Sequence, residues 1–364
     1  MKQARTNRNG DPFTLSRRAF MGSCAALALV GHAAPALASS SPVRTASTAQ
    51  TRSIHSGHSL TDTYLVTGPW PGAMRAMGES MGMRRAYHNI IKSTIPGSPM
   101  GWRWNNAVND LRPGDPTADA RRDIADFDTL VITEGGPPAR VDLPSGIADI
   151  AGSLDYLCRF AANAIENGNG GQGATDIILW SIWPSLTMWR PERPVYANNW
   201  QEFPDFRSAL PEYGHSFRFM ADYATWKLKG IYPALPADWR IWLFPGHLWM
   251  TRVWDDIAAG NVPGITDMQE FFLDDIHPNA IGGYGLACLV LTCMYQTDLR
   301  TLRRLHTEAG VSPQLREYFT TLAWDIASGY APVGMNGDMD RAPVWDSSTM
   351  DDPLPGWSPE TKIR

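Results

Sequence analysis

Cysteine is scarce in this chain of 364 residues, which contains four. Cys24 lies in the leading segment, and Cys158, Cys288 and Cys293 remain, an odd number without the spacing of a metal site. Cys288 and Cys293 are predicted to share one helix, on which their side chains diverge. We therefore expect no disulfide framework and interpret the three cysteines as small buried apolar side chains.

Positive charge is also in short supply. The chain has 32 Lys and Arg residues against 37 Asp and Glu. Residues 1–38, which have the pattern of a removable leader, hold five of the basic residues and one of the acidic ones. The remainder therefore has 27 basic and 36 acidic residues, a formal balance of −9. Proteins that bind phosphate backbones need a basic stripe, and none is found, which argues against nucleic acid as a partner.

Long apolar runs are missing as well. The leader contains the twin-arginine pattern SRRAFM (16–21), a short apolar run over 25–30 and the small-x-small site ALA (36–38). The apolar run is far shorter than the ~20 residues that cross a bilayer. The sequence therefore predicts a cleaved export signal over 1–38, recognised by the twin-arginine translocase, and a Ser/Thr/Ala linker over 39–50.

A second apolar stretch, Leu286–Met294, is also too short to span a membrane and is interpreted as part of a buried helix. The mature protein is thus expected to be periplasmic or secreted and to have no membrane anchor.

Short apolar segments bounded by Gly, Pro or Asp alternate with longer segments of helical periodicity. The predicted strands are Arg52–His55, Tyr87–Ser93, Thr129–Thr133, Asp176–Ile182 and Arg240–Phe244. The predicted helices are Pro71–Gly82, Ile147–Asn167, Tyr213–Tyr232 and Ala280–Tyr295. This alternation predicts an α/β fold of three layers, with a mostly parallel five-stranded sheet between helices. We expect one domain over 51–330 and an irregular tail over 331–364 that packs on it.

The chemically distinctive residues stand near the two ends of this domain. Ser59 lies in the segment GHSLTD (57–62), just after the first predicted strand, and Asp274 and His277 share the segment DDIHP (274–278). A hydroxyl, an imidazole and a carboxylate are the three parts of a nucleophilic acyl-transfer site. Because ligands bind at the carboxyl ends of parallel strands, these residues are expected to meet there. The sequence therefore predicts a Ser-His-Asp triad and an ester hydrolase.

The two segments resemble the first and last blocks of the GDSL, or SGNH, hydrolase superfamily. The resemblance covers about residues 50–300 and implies a flavodoxin-like α/β/α fold. It also implies Ser59 as the nucleophile, His277 as the base and Asp274 as the carboxylate that orients the imidazole. Asp275 is the alternative acid.

The resemblance further implies three donors to an oxyanion: the N–H of the serine, a glycine N–H after the second strand and an asparagine side chain after the third. Ser59 supplies the first of these. Gly97 is the candidate for the second, and Gly101 competes with it.

The third donor departs from the pattern, because Glu134 stands where the family has asparagine. An ionised carboxylate would repel an oxyanion. Glu134 is therefore either protonated, or replaced in this role by a backbone N–H of Gly135 or Gly136, or used to bind a substrate hydroxyl or to brace a neighbouring loop. His58, beside the nucleophile, is interpreted as a buttress of its loop.

Neither a cofactor nor a metal is expected. The sequence has no dinucleotide fingerprint, no haem attachment motif and no iron–sulfur cysteine run. His55 and His58 are close in the sequence, but no nearby carboxylate–histidine set completes a metal site.

Tryptophan is abundant, with fifteen residues. Most are expected in the core, but Trp102, Trp183 and Trp249 follow predicted strands and are expected to border the cleft. Flat rings with one N–H suit the face of a sugar, although they also accommodate acyl chains and aryl esters. We therefore expect an exported esterase that removes short acyl groups, such as acetyl, from a carbohydrate or similar ester. The alternative is a periplasmic glycan O-acyltransferase or glycan-binding protein with a relict triad, which the Glu134 substitution favours.

Overall fold

The computed structural model describes residues 43–66, 72–108, 117–135, 150–172, 175–186, 205–335 and 344–359. The predicted export signal over 1–38 and the first residues of the predicted linker lie outside this range. All of these described residues belong to one compact unit.

The centre of the protein is a sheet in which every described strand pair is parallel. Its strands are β1 (Ser53–Gly57), β2 (Ile90–Thr94), β3 (Thr129–Ile132), β4 (Asp176–Ser181) and β5 (Trp242–Pro245). They are ordered β2-β1-β3-β4-β5, and Ile54 of β1 is paired with Ile91 on one side and Leu130 on the other. The predicted three-layer α/β fold with a five-stranded sheet is confirmed.

The strands are buried along almost their whole length, as expected when helices cover both faces of a parallel sheet. This is why they are recognisable as continuous apolar segments rather than alternating ones. The strand ends agree with the prediction to within three residues, and β3 and β4 begin at the predicted residues. The largest difference is at β2, because Ala86–Asn89 forms a short helix in front of it.

The helices alternate with the strands and extend beyond the last of them. They are α1 (Ser59–Leu65), α2 (Ala73–Ser80), α3 (Ala86–Asn89), α4 (Met100–Asn105), α5 (Ile150–Gly171), α6 (Phe206–Ile231), α7 (Gly246–Ala258), α8 (Ala280–Tyr295) and α9 (Pro313–Gly329). Short 3-10 turns occupy Ile124–Asp126, Met268–Phe271, Leu299–Thr301 and Ala331–Val333. Non-helical backbone at Gly168–Gly170 interrupts the end of α5.

Helix α8 has the predicted bounds and is buried on nearly every side. The Asn279 side chain accepts hydrogen bonds from the N–H groups of Ile281 and Gly282, which caps the first turn. The helix packs against α1, α2 and α9, so its apolar sequence faces protein all round. In the described part of the chain, no helix combines the length and apolar character needed to cross a bilayer.

The three cysteines of the domain, Cys158, Cys288 and Cys293, are free and fully buried. Burial raises the pKa of each thiol far above its ordinary value, so the thiols stay protonated.

The described part of the tail, residues 344–359, lies against α6. Trp345 is buried, and its ring packs edge-on against Phe219 and Tyr223. Lys227 of α6 forms an ion pair of 2.7 Å with Asp352.

Candidate active site

The residues expected in the site gather at the carboxyl edge of the sheet. Ser59 is the first residue of α1, directly after β1. Gly97 follows β2 and Glu134 follows β3, the two neighbours of β1. The turn formed by Asp274–His277 precedes α8 and reaches this edge, where His277 contacts Ser59.

Ser59, His277 and Asp274 form a continuous chain of hydrogen bonds. His277 Nε2 is 2.8 Å from Ser59 Oγ, and His277 Nδ1 is 2.7 Å from Asp274 Oδ2. A carboxylate beside Nδ1 favours the tautomer with a proton on that nitrogen. Nε2 is then free to accept the serine proton, which is the arrangement of a nucleophile, a base and an orienting acid.

Asp274 is held as a carboxylate. Burial raises its pKa, but hydrogen bonds from the backbone N–H groups of His277 (2.7 Å) and Ile276 (2.9 Å), and from the His277 ring, more than offset this and lower the pKa overall. The side chains of Asp274 and His277 are 53% and 34% exposed, so a substrate can approach them from solvent.

Asp275, the alternative acid, has a different set of partners. Its Oδ2 accepts a hydrogen bond of 2.6 Å from the Ser185 hydroxyl, and its backbone carbonyl accepts one of 2.6 Å from the N–H of Leu186. The spacing from the histidine thus places Asp274 at the imidazole and Asp275 against the loop after β4.

The turn is closed by its own backbone. The N–H of Leu273 donates to the carbonyl of His277 at 2.7 Å, and the N–H of Asn279 donates to the carbonyl of Phe271 at 2.8 Å. Because Asn279 also caps α8, the end of the turn is fixed by the start of that helix.

His58 supports the loop that leads into Ser59. Its Nδ1 accepts the N–H of Leu60 at 3.3 Å, so Nε2 carries the proton and donates to the carbonyl of Glu134 at 2.9 Å. Burial, helped by the nearby positive charge of Arg103, lowers the pKa of His58 to about 3. A neutral His58 that joins the β1 and β3 loops agrees with the interpretation of this residue as a buttress.

Glu134 braces the loop after β2. Its Oε1 accepts hydrogen bonds from the backbone N–H groups of Met100 (2.9 Å) and Gly135 (2.6 Å). The Gly135 N–H is thus engaged by the carboxylate, and these contacts fit the alternative in which Glu134 braces a neighbouring loop. Donation to an oxyanion from Glu134 stays a prediction. Gly136 lies outside the described residues.

Gly135 fixes how closely the β2 and β3 loops approach each other. A Cβ at this position would lie 2.0 Å from the carbonyl oxygen of Ser98, a backbone atom that cannot move aside. The requirement for glycine here is one of space.

The first two expected oxyanion donors are the backbone N–H groups of Ser59 and Gly97. Within the described ranges, the N–H groups of Ser59 and Gly97 have no protein acceptor. Gly97 has a φ of 69° in an exposed turn, which glycine adopts without strain. The competing Gly101 lies inside α4, where an added Cβ would be 2.6 Å from the ring of Tyr156, so its role is packing.

Arg103 donates hydrogen bonds that connect β1 with the loops after β2 and β3. Its guanidinium donates to the carbonyl of Ser98 at 2.6 Å, to the carbonyl of Thr133, and to the Ser56 hydroxyl at 3.3 Å. Burial lowers the pKa of Arg103 to about 10, while the Glu134 carboxylate opposes this, so the side chain stays charged at neutral pH.

Replacing Arg103 with methionine is expected to lower the free energy of unfolding by about 3–5 kcal/mol, because two buried carbonyls lose their donor and the buried Glu134 carboxylate loses a nearby positive charge. Urea unfolding measures the change. Arg300→Met removes a partly exposed Arg–Asp pair and is the matched control, with a much smaller expected loss. Equal losses in the two variants would contradict the assigned role of Arg103.

The aromatic wall expected around the site is reduced to one residue. Trp183 is 1% exposed, and Trp249 is fully buried between Phe271 and Phe319. The expectation that Trp183 and Trp249 contact substrate is wrong, since neither indole presents a face to solvent. Trp102, on α4, is 56% exposed and remains available.

Across the described ranges, no group of three or more His, Cys, Asp or Glu side chains is arranged to hold a metal ion. His55 and His58 instead have protein partners: His55 Nδ1 is 3.0 Å from the Tyr64 hydroxyl. Sequence reasoning missed Arg103 and Ser185. No local signal marks either residue, because their partners are distant in the chain.

Comparison with known proteins gives little at the level of sequence. No protein-family model matches the chain, and no curated protein matches it. A solved structure of a DUF4886 family protein from Bacteroides uniformis is similar over 76% of this chain and 94% of its own, with 13% identity and a TM-score of 0.46. The protein YxiM from Bacillus subtilis is similar over 69% of this chain and 56% of its own, with 12% identity and a TM-score of 0.35.

Proposed function

We propose that this protein is a serine ester hydrolase with Ser59, His277 and Asp274 as its catalytic triad. The observation that carries the proposal is the pair of hydrogen bonds of 2.8 and 2.7 Å that links the serine to the imidazole and the imidazole to the carboxylate. A nucleophile and a base that are 218 residues apart in sequence meet in the geometry that acyl transfer requires.

In the first half of the reaction, Ser59 Oγ attacks the ester carbonyl while His277 Nε2 takes its proton. The N–H groups of Ser59 and Gly97 stabilise the resulting oxyanion, at about 3 kcal/mol for each donor. The bond to the alcohol oxygen then breaks, and His277 returns the proton to that oxygen. The alcohol leaves, and the acyl group stays on Ser59.

In the second half, His277 takes a proton from water as the water oxygen attacks the acyl-enzyme. Collapse of the intermediate breaks the bond to Ser59 Oγ, which recovers its proton from His277. The carboxylic acid is released and the enzyme is regenerated. Asp274 keeps the imidazole oriented and stabilises its charged form in both halves.

The substrate class that we propose is a short acyl ester, such as an acetyl ester, of a carbohydrate or similar polyol. Trp102 supports it, since an exposed indole on α4, the helix that follows β2, offers an apolar face and one N–H to a sugar ring. The twin-arginine pattern of the leader supports export to the periplasm or beyond, where glycan esters are found.

Transfer of the acyl group to a second alcohol is the alternative. A glycan-binding protein with a relict triad is the other alternative, and Glu134 favours it, because its carboxylate accepts two N–H groups and leaves two identified donors for an oxyanion instead of three. An acyltransferase would consume ester faster when an alcohol acceptor is added. A glycan-binding protein with a relict triad would retain glycan and leave a fluorophosphonate probe unreacted.

The test is covalent labelling with a fluorophosphonate, followed by peptide mapping and a panel of p-nitrophenyl esters of increasing acyl length. We expect label on Ser59 alone and the fastest turnover with acetyl. The absence of labelling at Ser59 would refute the hydrolase. A maximum at long acyl chains would instead refute the proposed substrate class and leave the chemistry intact.

A further inference from the structure

We propose that the segment Trp183–Leu186 is a clamp, here called the β4 clamp, which holds the Asp274–His277 turn at the correct distance from Ser59. Trp183 and Ser185 are then positioning residues for catalysis. This inference rests on the proposed function of the site.

The β4 clamp is hydrogen-bonded to Asp275 and Ile276, the two residues between the proposed catalytic acid and base. Trp183 Nε1 donates to the carbonyl of Ile276 at 3.1 Å. The Ser185 hydroxyl donates to Asp275 Oδ2 at 2.6 Å, and the N–H of Leu186 donates to the carbonyl of Asp275 at 2.6 Å. Three hydrogen bonds thus fasten the middle of the turn to the loop after β4.

The turn needs an external support. The end of the turn after His277 is fixed by α8, which packs against α1. The turn's own hydrogen bonds, from Leu273 to His277 and from Asn279 to Phe271, set its shape but leave its middle residues, Asp275 and Ile276, without support. The turn lies at the surface, with the His277 side chain one-third exposed. A displacement of about 1 Å at a catalytic group can cost about 100-fold in rate, so the position of His277 must be fixed by something rigid.

The clamp is anchored to the helix that carries the nucleophile. The Trp183 ring packs edge-on against Trp180, with centroids 6.1 Å apart, and Trp180 packs edge-on against Tyr64 at 5.3 Å. Tyr64 belongs to α1, which begins at Ser59. A chain of three aromatic rings in edge-on contact therefore connects α1, which begins at Ser59, to the carbonyl of Ile276, the residue before His277.

The three rings of this chain are packed too closely to shift. Tyr64, Trp180 and Trp183 are all buried, and the Tyr64 hydroxyl is 3.0 Å from His55 Nδ1. Close-packed aromatic rings transmit displacement instead of absorbing it. The separation of Ser59 and His277 is thus set by rigid contacts on both sides.

Trp183→Phe keeps an aromatic ring and removes the N–H donor. We expect kcat to fall about 10- to 100-fold and KM to stay within about twofold, because the substitution changes the position of His277 and does not affect substrate binding. Ser185→Ala is the second variant and is expected to lower kcat about 3- to 10-fold in the same way. Ser185→Thr keeps the hydroxyl and is expected to restore the rate.

The matched control is Trp345→Phe. Trp345 is equally buried, and its indole N–H has no partner in the described part of the chain. It packs on Phe219 and Tyr223, away from the catalytic turn. This variant loses the same atoms, so we expect a lower melting temperature and an unchanged kcat. Equal losses of kcat in Trp345→Phe and Trp183→Phe would overturn the clamp.

A readout without substrate separates the clamp from the hydrolase itself. In protein with ¹⁵N-labelled histidine, the proton on His277 Nδ1 is expected to give a low-field resonance that broadens or disappears in Trp183→Phe and Ser185→Ala and persists in Trp345→Phe. An unchanged resonance in both clamp variants overturns the inference, whatever the activity. If Trp183→Phe does not fold, Ser185→Ala decides the outcome alone. A wild-type protein that shows the resonance but hydrolyses no ester would refute the hydrolase only.

Discussion

Replacing Ser59 with alanine is expected to lower kcat for p-nitrophenyl acetate and for an acetylated sugar by about 10⁴-fold or more. In the proposed mechanism the hydroxyl oxygen forms the acyl-enzyme, and oxyanion donors alone retain about 10³- to 10⁴-fold catalysis over water. Ser328→Ala is the control, because that hydroxyl bonds to the carbonyl of Trp324 within α9 and should leave kcat unchanged. Comparable hydrolysis by Ser59→Ala and wild type would mean that the reaction occurs elsewhere.

The losses of kcat caused by substitutions at Ser59 and His277 are also expected to be non-additive. His277→Ala should cost about as much as Ser59→Ala, and the double variant should cost little more than either, because the two side chains act as one unit. Steady-state kinetics on the three variants measures this. Losses that multiply in the double variant would indicate that His277 acts independently of the serine.

Mild acid is expected to unfold the protein. His55, His58 and His247 are all buried, and burial lowers the pKa of each to about 3 from an ordinary value of 6.5. Because the folded-state pKa is the lower one, the unfolded chain binds more protons at any pH between these values. The contribution of the neutral, buried histidines to the free energy of unfolding is complete above pH 6.5 and is lost as the pH falls towards 3.

Three such groups make the effect large. Well inside this window the unfolded chain binds about three extra protons, so the free energy of unfolding should fall by about 4 kcal/mol for each pH unit. Urea unfolding between pH 7 and pH 4.5 measures the slope. His247→Asn should reduce the slope by about one-third, whereas His215→Asn, at an exposed position, should leave it unchanged. A stability that is flat over this range would contradict neutral burial of the three rings.

The parts of the fold that could be predicted are those with a local cause. The strands are continuous apolar segments, and α8 has an asparagine cap at Asn279 directly before an apolar run. Helices α1 and α7 were missed because each begins within two residues of a strand, without a connecting segment to mark the change. Helix α9 does carry a signal, since Ser312 caps it and Pro313 opens it.

In the candidate site, too, the residues that could be predicted are those with a local signal in the sequence. Ser59, Asp274 and His277 were found because short segments contain the chemistry itself. The burial of Trp183, the bracing role of Glu134 and the position of Arg103 depend on partners far away in the sequence, such as Ile276, Met100 and Thr133. No local pattern specifies such contacts, because they exist only once the strands are side by side.

The wide separation of Ser59 and His277 also bears on how the chain is made. Strands β2, β3, β4 and β5 all lie between the two residues, so a ribosome completes the nucleophile helix long before it adds the imidazole. No growing chain that ends before residue 277 holds the pair. Under the proposed function, such an unfinished copy would therefore be inert towards esters, and reactivity would begin only late in synthesis, once the Asp274–His277 turn docks onto α1.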